Sequence, residues 1–353
     1  MLIHSTNVTG LGACQVVTSF IDAACKLNLL DRSIVFLPDE GLLLNYLPSQ
    51  GKVYRYKRFL PNGISRIIEI FFGKYLFPEQ PVTIVLGDIP LRGIKNQVVL
   101  VHQPNLIYPR VNPLSGKSLK FSFLRSMFKS NLKYATRIIV QTDVMKNELL
   151  LSYPELVEKI EVVSQPIPSW FNYSNNTKQV KKPNQTLKLF YPAAGYNHKN
   201  HLFLKDFNDY LIQNRIEFPN IEVWLTLTAE EFVPFEKLSF VKNLGRLDHD
   251  QVMNAYKRCD SLLFLSLAES YGLPLIESLS ISLPILTIDL PYARWMCENS
   301  VYYFRPNSFN SFLEKLDELN QDLCNSVNPN YKDALYKFPK SWEEVVKIFF
   351  EVG

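Results

Sequence analysis

The sequence predicts an α/β protein of two doubly wound domains, each a parallel sheet covered by helices. Its 353 residues exceed what one hydrophobic core usually serves, so two domains of ordinary size are expected. With 47% hydrophobic and 20% charged residues the chain has the make-up of a folded globular protein, and no low-complexity stretch interrupts it. In both halves strand-length apolar runs alternate with amphipathic stretches, the pattern of β-α-β units on a parallel sheet.

In the first half, strands are expected at residues 2–5, 33–37, 82–86, 98–102, 137–141 and 159–163, each a short apolar run. Helices are expected near 16–27, 64–76, 119–132 and 144–151. Residues 172–185 are polar, rich in Asn and Lys, and contain Pro183, which makes them the best linker. The alternation then restarts, with strands at 187–191, 221–225, 240–244, 261–265, 284–288 and 301–304. Helices fall at 200–212, 248–257, 274–280 and 308–323, and a last amphipathic segment at 342–350 would cap either domain. No sequence repeat relates the halves, so likeness between them would be architectural.

Apolar runs such as 98–101 and 261–267 are far shorter than the roughly 20 residues a membrane-spanning helix needs. Residues 1–5 already read as a strand, with no basic region and cleavage-site pattern ahead of them, so secretion is not expected. Cys14, Cys25, Cys259, Cys297 and Cys324 form an odd, scattered set without a C-x-x-C pair, which points to reduced cytosolic thiols rather than disulfides or a zinc site. In that compartment the Asn-x-Ser/Thr triplets at Asn7, Asn172, Asn175 and Asn184 are chance matches. The net charge of +4 hides an asymmetry: 20 basic against 12 acidic residues in 1–180, and 18 against 22 in 181–353. The first half should therefore attract anions or an anionic surface.

The chemistry concentrates in residues 266–277, S-L-A-E-S-Y-G-L-P-L-I-E, directly after an apolar strand. A strand running through a glycine turn into a helix sets backbone N–H groups and the positive end of a helix dipole at the carboxyl edge of a sheet, which suits a diphosphate. Pro274 fits the first helical turn, where its missing N–H costs nothing. Glu269 before the turn and Glu277 on the helix would approach one ligand from two sides, because carboxylates accept the hydrogen bonds that sugar hydroxyls donate. A solvated loop acid and an exposed helix acid beside a tight turn is the alternative.

Residues 269–277, with Gly272, Leu273 and Pro274 between the glutamates, resemble the E-x7-E motif of retaining glycosyltransferases of the GT-B fold, specifically glycosyltransferase family 4. The segments 241–247 (V-K-N-L-G-R-L), 255–260 (A-Y-K-R-C-D), 283–289 (L-P-I-L-T-I-D) and 301–306 (V-Y-Y-F-R-P) fall in that family's order and spacing, and 190–201 (F-Y-P-A-A-G-Y-N-H-K-N-H) resembles its strand-loop segment ending in Lys-Asn. The resemblance implies two facing Rossmann-like domains: an N-terminal acceptor domain at 1–175, a C-terminal donor domain at 176–335, and a helix at 336–353 crossing back to the first. It implies Glu277 on the nucleotide ribose, Glu269 on the donor sugar, the Gly272–Leu273 amides near sugar and phosphates, and Lys199 on the diphosphate, where positive charge helps as the leaving group develops. It also implies a phosphate-facing glycine loop at Gly10 and Gly12, and His102 beside the donor sugar. A plain tight turn explains the glycines about as well, and a hydrogen-bonded strand-end histidine explains His102.

Two positions depart from the family. Ala194 stands where an Arg usually partners the lysine, leaving Arg246 or Arg294 to supply that cation, and Ser282 replaces a common glycine. Residues 53–77 mix Arg55, Lys57, Arg58, Arg66 and Lys74 with Tyr54, Tyr56, Phe59, Phe71, Phe72 and Tyr75. They read either as a helix with its aromatics in the core or as a patch for an anionic membrane or a lipid-linked acceptor. No nucleic-acid module is present, and His198 and His201 lack further ligands at metal-site spacing. The expectation is a metal-independent, cofactor-free transferase moving sugar from a UDP- or GDP-sugar to a glycan or lipid-linked oligosaccharide, as in O-antigen or capsule synthesis, in the cytoplasm or at the inner membrane face. Its rivals are a non-catalytic sugar-nucleotide binder and another GT-B enzyme, such as an epimerase or phosphorylase.

Overall fold

Strands of a parallel sheet are buried on both faces and so read as unbroken apolar runs. The computed structural model describes residues 1–60, 62–107, 119–168, 170–171, 182, 184–327 and 329–351. Apart from residues 182, 184 and 185, the expected linker lies outside the described residues. So do the triplets at Asn172 and Asn175.

The chain divides into two compact units, Met1–Pro166 with Phe338–Gly353, and Ile167–Lys337. Unit 1 runs β1 (Leu2–His4), α1 (Leu11–Lys26), β2 (Ile34–Pro38), β3 (Lys52–Tyr56), α2 (Asn62–Phe71), α3 (Gly73–Leu76), β4 (Thr83–Val85), β5 (Gln97–Leu100), α4 (Leu119–Asn131), β6 (Ala135–Val140), α5 (Asp143–Ser152) and β7 (Ile160–Val162). Its seven strands are parallel, in the order β3-β2-β1-β4-β5-β6-β7. Unit 2 runs β8 (Leu187–Tyr191), α6 (Leu202–Asn214), β9 (Ile221–Leu225), α7 (Ala229–Phe232), β10 (Val241–Asn243), α8 (His249–Arg258), β11 (Ser261–Phe264), α9 (Leu273–Ser280), β12 (Ile285–Ile288), α10 (Pro291–Cys297), β13 (Tyr302–Phe304), α11 (Phe309–Cys324) and α12 (Lys332–Tyr336). Its six parallel strands are ordered β10-β9-β8-β11-β12-β13. These are two Rossmann-like α/β sheets, and in each the order reverses beside the first strand, between β1 and β4 and between β8 and β11. Ligands of such sheets bind at the carboxyl ends of those strands.

The last helix, α13 (Trp342–Phe350), belongs to unit 1. Trp342, Val345, Val346 and Phe349 join Val17, Phe20, Ile21 and Ala24 in one core, with the Phe20 and Phe349 rings 4.9 Å apart at 70°. Trp342 is therefore a packing anchor. Ser341 caps α13 by accepting from the Glu344 amide at 3.3 Å. At the other junction Trp170 stacks on His249 at 4.3 Å and Phe171 meets Tyr256 edge-on at 5.5 Å, which ties residues 170–171 to α8 of unit 2.

Residues 53–77 correct the sequence reading. They are not one helix: 52–56 form the edge strand β3, in register with β2 from Ile34↔Lys52 to Pro38↔Tyr56. The helix expected at 64–76 breaks before Gly73, where a Cβ would stand 2.9 Å from Leu91 Cβ, too close for any other residue. All three of its arginines are also engaged internally. Arg55 donates to the carbonyls of Pro38, Leu43 and Tyr46, Arg58 to Glu69, and Arg66 to the carbonyl of Asn7. Phe59, Phe72 and Tyr75 nevertheless remain exposed.

Candidate active site

In unit 2 the β11-to-α9 connection turns at Gly272, whose φ of +96° is left-handed, with Leu275 Cδ1 3.2 Å from where a Cβ would be. Gly272 is the N-cap of α9, Leu273 and Pro274 occupy the first turn, and no side chain caps that end. Among the described residues, the helix start thus keeps its backbone donors and its positive dipole end unmatched by a side-chain cap.

Neighbouring strand ends are tied to this turn by uncharged bonds. The Leu267 amide donates to the His198 carbonyl at 2.7 Å, the Tyr191 hydroxyl to the Lys199 carbonyl at 2.6 Å, and the Tyr292 hydroxyl to the Ser266 carbonyl at 2.5 Å. These bonds bring together the two charged residues singled out in the sequence: Lys199 and Glu269 form an ion pair with side chains 17% and 11% exposed. The Lys199 ammonium also lies 5.7 Å over the Phe264 ring.

Glu277 is buried on the next part of α9, where the Tyr256 hydroxyl donates to its Oε2 at 2.8 Å. Burial pushes its carboxyl up to about 7, against the smaller opposing effect of the Tyr256 bond. The reading of Glu277 as an exposed helix acid is thus excluded. His201 is buried against Tyr191 with ring centroids 4.9 Å apart; burial first, then Lys199, pushes it down to about 4. Among the described residues no group of three or more His, Cys, Asp or Glu side chains is arranged to hold a metal ion.

Arg246, in the loop between β10 and α8, is half exposed and pairs with Glu231 at 3.1 Å. Glu231 Oε1 in turn accepts from the Gly195 amide at 3.2 Å. Arg246 therefore reaches the loop that carries Ala194, through a carboxylate the sequence reading missed. Thr228 and Glu231 form a reciprocal capping box for α7, and that T-x-x-E spacing was the available signal. Arg294 is committed elsewhere, bidentate on Asp289 at 2.6 and 2.8 Å and 3.7 Å over the Tyr303 ring.

In unit 1, Gly10 is the N-cap of α1 with no side-chain cap, and the space beside it is open. Gly12 lies inside the first turn of α1 rather than in a loop, because the helix already starts at Leu11. The β1–α1 connection is clamped by charge. Arg58 donates to the Thr6 carbonyl at 2.9 Å and to Glu69 at 2.8 Å, and Asn7 donates to the Gly87 carbonyl at 2.9 Å. Burial opposes the charge on Glu69, but bonds from His4, Arg58 and Thr6 outweigh it and hold the carboxyl below its usual range. His102 follows β5 with Nδ1 3.7 Å from Asp88 Oδ1, and Asp88 also accepts from the amides of His102 and Gln103 at 2.7 and 2.9 Å.

Residues 236–333 match the family described as Glycosyl transferases group 1. That stretch runs from before β10 into α12 and contains Arg246, Tyr256, Glu269, the Gly272 turn and Glu277. The chain is 22% identical over 242 residues to the O-antigen chain mannosyltransferase RfbU of Salmonella typhimurium, a match covering 66% of this chain and 63% of that relative's length. Its fold is similar to the sucrose-phosphate synthase of Thermosynechococcus elongatus, with a TM-score of 0.72 at 13% identity over 99% of this chain and 97% of that one. It is also similar to WaaG, a glycosyltransferase involved in lipopolysaccharide biosynthesis, with a TM-score of 0.69 at 13% identity over 100% and 99%. At such identities these structures speak for the fold alone, which is that of two parallel-sheet Rossmann-like domains with GT-B glycosyltransferase neighbours.

Proposed function

We propose that the protein is a retaining, metal-independent glycosyltransferase that moves a sugar from a nucleoside-diphosphate sugar to a glycan or lipid-linked oligosaccharide in the synthesis of a bacterial surface polysaccharide. The observation that carries this reading is the meeting of Lys199, Glu269 and the uncapped start of α9 at the carboxyl ends of β8 and β11, with Glu277 one helical turn further on. A diphosphate at the helix start would take Lys199 from Glu269 and free that carboxylate to accept from donor-sugar hydroxyls. Glu277 would accept from the ribose. Arg246 would stand in for the cation that Ala194 cannot supply, exchanging Glu231 for phosphate.

In the transfer, the acceptor hydroxyl oxygen bonds to the anomeric carbon as the bond from that carbon to the diphosphate oxygen breaks, and the hydroxyl proton passes to the departing phosphate. Lys199 would stabilise the charge that gathers there. No protein nucleophile is required. The RfbU similarity supports the polysaccharide setting. The exposed Leu42, Leu44, Leu47, Phe59, Leu60 and Ile64, following the ends of β2 and β3, suit a lipid-linked acceptor presented at the inner face of a membrane. Among the described residues no helix is long and apolar enough to cross one.

Ala194 favours a second reading, a sugar-nucleotide binder without turnover. The test is a panel of UDP- and GDP-sugars with lipid-linked acceptors, scored for nucleotide release and product. Acceptor-dependent release is expected, reduced about 100-fold or more in Lys199→Ala with the fold retained. Tight nucleotide binding without product would select the second reading, and near-normal activity in Lys199→Ala would reject the site.

A further inference from the structure

We infer that Tyr256 is a positioning residue for the site, its hydroxyl holding one oxygen of Glu277 so that the other faces the ribose hydroxyls of a nucleoside diphosphate. This rests on the reading of unit 2 as the donor-binding unit and adds to it the group that sets how the ribose is read.

Tyr256 is fully buried on α8, and its hydroxyl lies 2.8 Å from Glu277 Oε2. Its ring is wedged by Phe190 at 5.2 Å and 86° and by Phe171 at 5.5 Å and 88°, so the phenol cannot swing aside without breaking both edge contacts. Phe190 comes from β8, next to the strand end that carries the Lys199 loop. A carboxylate offers acceptors only, on two oxygens. With Oε2 taken by Tyr256, the pair of donors on a ribose must be met chiefly by Oε1.

α10 and α12 lie against α9, and among the described residues burial and the Tyr256 bond are what shift the Glu277 carboxyl. Cys259 at the end of α8 acts on Tyr256 in turn. Removing the hydroxyl would take away the bond that favours the ionised carboxylate, leaving burial unopposed.

The experiment is calorimetric titration of UDP, GDP and ADP into the whole protein, continued with the tightest of the three and with its 2′-deoxy and 3′-deoxy forms. In the wild type, affinity should rise as pH climbs through about 7, the range to which burial moves Glu277. In Y256F the ribose nucleotide should bind about five- to tenfold more weakly, the deoxy forms less than about twofold so, and the pH midpoint should move up by about one to two units. E277Q should leave only the titration of the nucleotide's own terminal phosphate, and adding Y256F to it should neither move that midpoint nor change affinity more than about twofold. Equal weakening of ribose and deoxyribose forms in Y256F with the midpoint unmoved would make Tyr256 a packing residue and overturn the inference. A pH profile in E277Q identical to that of the wild type would overturn it too, including where Y256F does not fold. If none of the three nucleotides binds the wild type, the donor-unit reading fails first and this role falls with it.

Discussion

The two sheets present their switch-point edges by opposite electrostatic means. In unit 1 the β1–α1 connection is clamped by a buried ion pair, Arg58 and Glu69, whose side chains are 5% and 2% exposed. In unit 2 the corresponding loops are fastened by amide and tyrosine hydroxyl bonds to carbonyls, while the charged groups Lys199 and Glu269 remain partly exposed and paired with each other. A buried pair holds shape, because breaking it strands a charge away from water. A pair that keeps some contact with water can exchange partners at lower cost, which is what a ligand-binding cation requires.

Removing one member of each pair tests that contrast most strongly. Glu69→Ala leaves Arg58 buried without its carboxylate and should destabilise the protein by about 3–5 kcal/mol in denaturant titrations. Glu269→Gln should cost less than Glu69→Ala, since Lys199 keeps some contact with water and the Gln amide still offers it an acceptor. Similar losses from both would end the distinction between a clamp and an exchangeable pair.

The next effect separates the units by pH. Glu69 is depressed in the fold, so its contribution is present above the usual carboxylate range near pH 4 and is lost as pH falls through its folded value. Glu277 is raised to about 7, so the fold holds its proton where the unfolded chain has released it, and stability declines as pH rises from about 4 to about 7. Glu277→Gln should remove that decline, a gain of order 3 kcal/mol at pH 8 over the wild type, measured by denaturant titration across pH. An unchanged slope would mean that the carboxyl titrates normally.

A smaller effect concerns the turn alone. Gly272→Ala forces a side chain into left-handed backbone at φ +96° and should cost about 1–2 kcal/mol, with weaker nucleotide binding measured by calorimetry. Gly10→Ala, at an extended N-cap facing open space, should cost less than Gly272→Ala in the same assay.

Most elements of unit 2 were legible because apolar strand runs and capped helices state their own limits; residues 187–191 and 221–225 fall on β8 and β9 without adjustment. β3 was not legible. An edge strand half open to water carries Lys52, Tyr54 and Arg55 as readily as a helix surface does, and only pairing with β2 assigns it. At the site, the glycine turn and the two glutamates could be read from spacing, whereas Glu231 and Tyr256 act through partners 15 and 21 residues away.

By itself the sequence determined two alternating α/β halves, the strand-turn-helix at Gly272, and which side chains carry charge near it, because periodicity and turn chemistry are local. Tertiary structure decided the rest: that Lys199 meets Glu269 across 70 positions, that Glu277 is sealed from water, and that α13 completes the core of unit 1. Those outcomes depend on which strands lie side by side, and parallel pairing joins segments whose separation along the chain leaves no periodic trace.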